Sequence, residues 1–291
     1  GSSHHQWAGQ CLDCKEWNTL EEVVISQATS SKPESLKDLP ASKVQNLSEI
    51  KSQNNHRLST GLSELDRTLG GGLVDGSVVL IGGDPGIGKS TLILQAIAAI
   101  NAENTTLYVS GEESAEQVSD RAIRLGIKED ILFIGETHLE KIIKISKDTR
   151  PKVIVIDSIQ TMVTDLSNSA PGSVTQVRDC AAQLTQYAKQ TNTILLMIGH
   201  VTKGGALAGP RILEHMVDAV LYFEGDAGGR YRIIRAVKNR FGAVNEISVF
   251  AMGEKGLQQV SNPSSIFLSN QENPSSGSMV MVTREATRPL L

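Results

Sequence analysis

Residues Gly83 to Ser90 read Gly-Asp-Pro-Gly-Ile-Gly-Lys-Ser, a complete G-x-x-x-x-G-K-S phosphate loop. The aliphatic run Val78-Val79-Leu80-Ile81 precedes it, and a helix-forming run from Thr91 to Ile100 follows. This strand–loop–helix context is the one the motif requires, and it commits the chain to an α/β architecture. Glycines let successive N–H groups turn inward, and the helix N-terminus adds partial positive charge, so backbone alone can cradle a polyphosphate. Gly83, Asp84, Pro85, Gly86, Ile87, Gly88, Lys89, Ser90 and Thr91 are therefore the candidate nucleotide-binding residues. Lys89 is expected to reach the β- and γ-phosphates of ATP, and Ser90 to help hold Mg²⁺.

The rest of the chain agrees with that start. Strand-like runs at 78–81, 105–110, 131–134, 153–156, 194–198 and 219–223 alternate with helix-like runs at 90–100, 114–125, 139–147 and 174–190. Such alternation predicts a mostly parallel sheet with helices on both faces. Towards the end, extended runs at 231–238 and 244–252, joined by Asn239-Arg240-Phe241-Gly242, predict an antiparallel hairpin added to the sheet edge. A short helix carrying Asp66 is expected just before Gly70-Gly71-Gly72. The expected layout is a cysteine-bearing segment at 1–25, a polar linker at 26–55, the main domain at 56–262, and a further linker with an opening strand from Met279 to Thr283 at 263–291.

Several side chains fall where strands of such a sheet end, which is where ligands bind in open α/β folds. Asp157 closes the run Val153-Ile154-Val155-Ile156 and is the expected Mg²⁺ carboxylate together with Ser90. Glu112 and Glu113 follow Tyr108-Val109-Ser110-Gly111; one is expected to orient or deprotonate an attacking water, Glu112 before Glu113. Either could instead serve as a first-turn acid of the following helix. His200 ends another strand and could sense the γ-phosphate by hydrogen bonding, or be merely structural. Arg178, Lys203 and Arg211 lie in or beside two segments, 165–172 and 204–211, that could track a DNA backbone or be plain connections. Lys238 and Arg240 sit at the hairpin tip, far along the sheet from the phosphate loop, so Arg240 is better placed to reach a neighbouring subunit's phosphate.

Composition excludes other classes. With 291 residues, 40% of them hydrophobic, the chain can bury a sizeable core. A net charge of −4 gives no global basic field, so any nucleic-acid contact must be local. No apolar stretch is long enough to span a membrane. Three cysteines, with only Cys11 and Cys14 in a C-x-x-C pair, make no disulfide framework and suit a reducing cytoplasm. Cys180 falls in a helix-like run and reads as a core thiol. The opening Gly-Ser-Ser-His-His reads as a tag remnant.

The order of these motifs resembles one family. Leu58-Ser-Thr-Gly-Leu-Ser-Glu-Leu-Asp66, the phosphate loop, Tyr108-Val-Ser-Gly-Glu-Glu-Ser114 and Lys238-Asn-Arg-Phe-Gly242 are similar to the bacterial RadA (Sms) family of RecA-like DNA repair ATPases. So is the Trp7-x-Gly-x-Cys11-x-x-Cys14 start. The resemblance implies a RecA-like core and a hexameric ring on single-stranded and branched DNA. It implies branch migration in cooperation with RecA, and ATP hydrolysis completed across a subunit boundary by Lys238 and Arg240. It also implies a four-cysteine zinc finger, of which Cys11 and Cys14 are half, and a Lon-like C-terminal domain, of which 278–291 resembles only the opening strand. A KaiC-like regulatory ATPase or kinase shares the Gly-Leu-Ser-Glu-Leu-Asp and double-Glu features, and a DnaB-type helicase shares the paired cations.

Overall fold

The aliphatic runs become the middle of a nine-stranded sheet because they are buried on both faces. A computed structural model describes residues 57–200, 210–225 and 229–262, with the backbone of 283–285 and 288–290. The chain divides into two units, Gly1–Ser52 and Gln53–Leu291. The first unit, with Cys11 and Cys14, lies outside the described residues, as do Lys203 and residues 279–282.

The core opens with β1 (Arg57–Leu58), α1 (Ser63–Thr68) and β2 (Leu73–Val74). It continues through β3 (Val78–Gly82), α2 (Lys89–Asn101), β4 (Thr106–Ser110), α3 (Ala115–Leu125), β5 (Leu132–Gly135), α4 (Leu139–Thr149) and β6 (Val153–Asp157). After a 3₁₀ turn (Ile159–Thr161) come α5 (Val174–Thr191), β7 (Ile194–Ile198), α6 (Pro210–Glu214) and β8 (Ala219–Glu224). The antiparallel part is β9 (Tyr231–Asn239), β10 (Ile247–Gly253) and β11 (Gly256–Gln259). Strands β12 (Thr283–Glu285) and β13 (Arg288–Leu290) pair as a separate two-stranded ribbon.

The sheet order is β11-β10-β9-β8-β3-β7-β6-β4-β5. Strands β3 to β8 are parallel, and β9, β10 and β11 follow antiparallel. Alternate residues of each central strand feed two separate cores, as the period of two demands. Val79, Ile81, Val153, Val155, Leu196 and Leu221 pack with α1, α2 and α3. Val78, Leu80, Ile154, Ile156, Met197 and Val220 pack with α4, α5 and α6. Cys180 of α5 is one of these core residues, and burial pushes its thiol up to about 12.

Two sequence expectations need correction. The second extended run begins at Ile247, not Val244: Asn245 adopts the left-handed region at φ 63°, and the Glu246 carboxylate is drawn to Arg67 of α1. The hairpin of β9 and β10 is present but is not the whole antiparallel part, since β11 pairs with β10 through a tight turn at Gly253–Gly256.

Candidate active site

Register puts Ser110, Asp157, Ile198 and Ile81 in one row across β4, β6, β7 and β3. The segments that leave these four strands at their carboxyl ends therefore meet. The loop after β3 turns through three glycines in the left-handed half of backbone space, Gly83 (φ 145°), Gly86 (φ 74°) and Gly88 (φ 110°). Gly83 also needs its missing side chain, because a Cβ there would stand 2.8 Å from that of Phe223. Gly88 is the N-cap of α2 and offers no side-chain acceptor, which leaves the first amides of the helix open to an anion.

Lys89 begins α2 with 4% exposure. Its Nζ donates to the carbonyls of Gly83 and Asp84, both at 2.9 Å, and lies 3.4 Å from His200 Nδ1. Burial pushes the Lys89 ammonium down, while Asp157, Glu112 and Asp84 act in the opposite direction. Asp157 is buried at the end of β6, and the Tyr108 hydroxyl donates to its carboxylate. Burial pushes this carboxyl up; bonds from Tyr108 and Ser90 counter that. Ser90 and Asp157 are thus neighbours, and an oxygen-only pair of this kind suits Mg²⁺.

The two glutamates part company. Glu112 turns towards the phosphate loop: the Ser158 hydroxyl donates to it, and His200 Nε2 lies 3.2 Å from its Oε1. Glu113 turns away and accepts from both terminal nitrogens, Nη1 and Nη2, of Arg121 on α3. The carboxylate, imidazole and ammonium of Glu112, His200 and Lys89 form a continuous line. The structure brings together every sequence-selected site residue of the sheet's upper edge except Glu113.

The remaining candidates lie elsewhere. Arg178 is on the exposed face of α5 beside Asp179, at 3.3 Å. Arg211 is in α6, but its side chain, like Lys203, is outside the described residues. Segment 165–172 is tethered at its start, where Glu140 accepts from the Thr164 hydroxyl at 2.6 Å and Gln183 donates to Thr164 at 2.9 Å. Lys238 and Arg240 stand at the opposite end of the sheet from the phosphate loop: Asn239 pairs with Ala219 where β8 begins, whereas Gly82 pairs with Tyr222 towards its end. Lys238 Nζ donates to the carbonyls of Glu214 and Val217, at 2.6 and 2.8 Å. No group of three or more metal-ligating side chains occurs among the described residues.

A cleft of about 610 Å³ opens beside the loop, lined by Gly86, Gly88, Thr91, Arg124, Met252 and Gly256. A second hollow, of about 580 Å³, lies at the other end of the sheet among Lys147, Arg150 and Lys152. There α4 and α5 end at Arg150 and Asn192, so its cations complement helix dipoles and have no counterpart of the phosphate loop.

Residues 45–206 match the family described as "AAA domain", more than half of the chain. The chain belongs to that family. Over its whole length it is also similar to proteins named DNA repair protein RadA. Identity is 54% over 292 residues with the Pseudomonas aeruginosa protein, 50% over 297 with that of Escherichia coli, and 46% over 295 with that of Bacillus subtilis. The chain spans 64–65% of the length of these relatives. The RadA resemblance read from the motifs is borne out, and the sheet fits an AAA-type phosphate-loop core.

Sequence reasoning passed over Tyr108, Ser158, Arg121, Asp218 and Arg232. Arg232 had a signal: alternation along β9 puts it on the face of Ile234 and Ala236, a cation in register with core residues.

Proposed function

We propose that this protein is a DNA-dependent ATPase of repair and recombination, a ring of identical subunits that moves on single-stranded DNA in the bacterial cytoplasm and promotes branch migration with RecA. The observation that carries the ATPase reading is the line Lys89–His200–Glu112 beside Ser90 and Asp157, at the mouth of a glycine loop capped by open helix amides. The names of the RadA relatives support the repair role.

In this reading the triphosphate lies on the amides of Gly86 to Ser90, with the base in the adjoining cleft by Arg124 and Met252. Lys89 leaves the carbonyls of Gly83 and Asp84 for the phosphate oxygens and offsets their charge. Ser90 and Asp157 would hold Mg²⁺, which spreads charge from the phosphate oxygens when bound. Glu112 accepts the proton of the attacking water, and His200, which touches both Glu112 and Lys89, reports whether the γ-phosphate is present. Arg240, remote from its own loop, completes the site of the neighbouring subunit, with Lys238 beside it. Arg178, Lys203 and Arg211 would supply local basic contacts to the DNA backbone. Cys11 and Cys14 would supply half of a four-ligand zinc site.

The test is ATP turnover with and without single-stranded DNA across a salt series. Stimulation that fades as salt rises is expected; unstimulated turnover with no salt-sensitive DNA binding overturns the motor reading. Mixing Glu112→Gln and Arg240→Ala subunits tests the division of labour. Recovery of turnover is expected, because some boundaries then pair an intact Glu112 with an intact Arg240; no recovery removes the trans role.

A further inference from the structure

We propose that Asp218 is the positioning residue for Arg240, an inference that rests on reading Arg240 as the finger for a neighbouring subunit's phosphate. Asp218 is buried immediately before β8. Its main chain and side chain both hold Arg240: the Arg240 N–H donates to the Asp218 carbonyl at 3.0 Å, and Nη1 donates to Oδ1 at 3.2 Å. The other carboxylate oxygen accepts from the Val78 N–H at 3.0 Å and from Lys189 Nζ.

The two residues depend on each other unequally. Asp218 has a cation and an amide without Arg240, so the buried carboxylate stays satisfied if the guanidinium is removed. Among the described residues the Arg240 side chain meets only Asp218. Among the described residues its Nε and Nη2 meet no acceptor, and its side chain is 59% exposed. One nitrogen is anchored, and an edge with further donors faces outward. That is the presentation a planar guanidinium needs to meet two oxygens of an anion at once. A long, exposed side chain otherwise samples many rotamers, and a finger off target by about 1 Å costs on the order of 100-fold in rate.

The backbone beneath the finger is fixed independently. Asn239 donates to the Thr68 carbonyl at 3.3 Å and accepts from the Phe241 N–H at 2.9 Å. Arg57 donates to the Phe241 carbonyl at 2.8 Å. Gly242 lies so close to Gly70 that a Cβ would stand 2.7 Å from the Gly70 Cα. With the main chain held by α1 and β1, the one freedom left is that of the Arg240 side chain, and Asp218 removes it.

The test is a double-mutant cycle on ATP turnover by the assembled protein with DNA present. Asp218→Asn is expected to lower kcat about 10–100-fold while leaving the KM for ATP within about twofold, because the phosphate loop is untouched. In an Arg240→Ala background, Asp218→Asn should lower kcat no further. Lys189→Met removes the other cation from Asp218 and should leave kcat within about twofold, since the Lys189 side chain is half exposed. Equal losses from Lys189→Met and Asp218→Asn would mean structural anchoring and overturn the proposal, as would additive losses in the cycle. If Asp218→Asn does not fold, Asp218→Glu keeps the charge but moves the carboxylate by one methylene. It should lower kcat in the wild-type background only, and unchanged kcat overturns the proposal. Normal turnover in Arg240→Ala would remove the finger reading itself. A loss in Arg240→Ala with none in the Asp218 variants removes the Asp218 proposal alone.

Discussion

Arg232, 2% exposed in β9, donates its Nε–H to the Ile87 carbonyl of the phosphate loop at 2.9 Å. Its Nη1 donates to the carbonyls of Gly229 and Tyr231, so a buried guanidinium braces the loop from behind. The strand that begins beside this brace ends at Asn239, next to Arg240. One rigid element thus runs from a subunit's own phosphate loop to the residue proposed to serve its neighbour. Replacing Arg232 by Met leaves the Ile87 carbonyl without this donor, at a cost of about 1–3 kcal/mol. A lower Tm is expected, together with a smaller rise in Tm on adding ATP, because the loop is less well formed. Arg232→Lys should recover only part of each. A Met variant whose nucleotide-induced rise in Tm equals the wild type's would show that the brace does not shape the loop.

The opposite orientations of Glu112 and Glu113 separate their fates on substitution. Glu112→Gln keeps the shape but loses the carboxylate proposed as the base, and kcat should fall by about 10²–10³-fold while ATP stays bound. Glu113→Gln weakens a half-buried pair with Arg121, which should cost about 1 kcal/mol or less of stability and leave kcat within a few fold. Single-turnover cleavage alongside thermal melting checks both. A larger kcat loss in Glu113→Gln than in Glu112→Gln would reverse the assignment.

The central parallel strands were legible because both of their faces are buried, which demands unbroken aliphatic runs such as Val153 to Ile156. The placement of the phosphate loop and of Asp157 at strand ends was legible because it depends on position along the chain, and the chain order is the sequence itself. The split between Glu112 and Glu113 was not legible. It depends on Arg121, which sits eight residues on and meets Glu113 only once α3 has packed. Strand β11 escaped notice because Gly256-Leu257-Gln258-Gln259 carries almost no apolar pattern. It is held by pairing with β10 and by Gln95, which accepts from the Leu257 N–H at 2.9 Å. The apolar Val244 makes the second extended run look three residues longer than the strand it forms. Asn245 in the left-handed region and the pull of Arg67 on Glu246 both defer the strand to Ile247.

Acid should reveal a local contribution at the start of α4. The His138 backbone N–H, with Lys141, the Thr137 N–H and the His138 side chain, holds the Glu136 carboxyl down from 4.5 to about 2. A depressed carboxyl stabilises the fold while it is ionised there, so its contribution is complete above pH 4.5 and is lost as pH falls towards 2. Glu136→Gln should therefore melt below the wild type at neutral pH, and the gap should close between these two values. A gap that stays constant or widens on acidification would show that Glu136 does not act through its charge.

Gly111 stands at the junction on which Glu112 depends. Its N–H donates to the Asp157 carbonyl at 2.8 Å, which ties the end of β4 to the end of β6. A Cβ on Gly111 would lie 2.1 Å from Thr161 Oγ1 and 2.8 Å from Thr161 Cβ, and Thr161 is itself fixed by its bond to the Ser158 carbonyl at 2.8 Å. Gly111→Ala must therefore push β4 away from the 3₁₀ turn, and such overpacking costs about 1–3 kcal/mol. The shift begins one residue before Glu112 and on the segment that carries Ser158, its hydrogen-bond donor, so kcat should fall along with Tm. Adding Thr161→Ala removes the hydroxyl responsible for the closest approach but keeps a Cβ, so the double variant should recover part of both losses. Melting and turnover of the single and double variants decide the matter: a Gly111→Ala protein with wild-type Tm and kcat would mean the junction yields freely, and Glu112 would then owe its orientation to Ser158 and His200 alone.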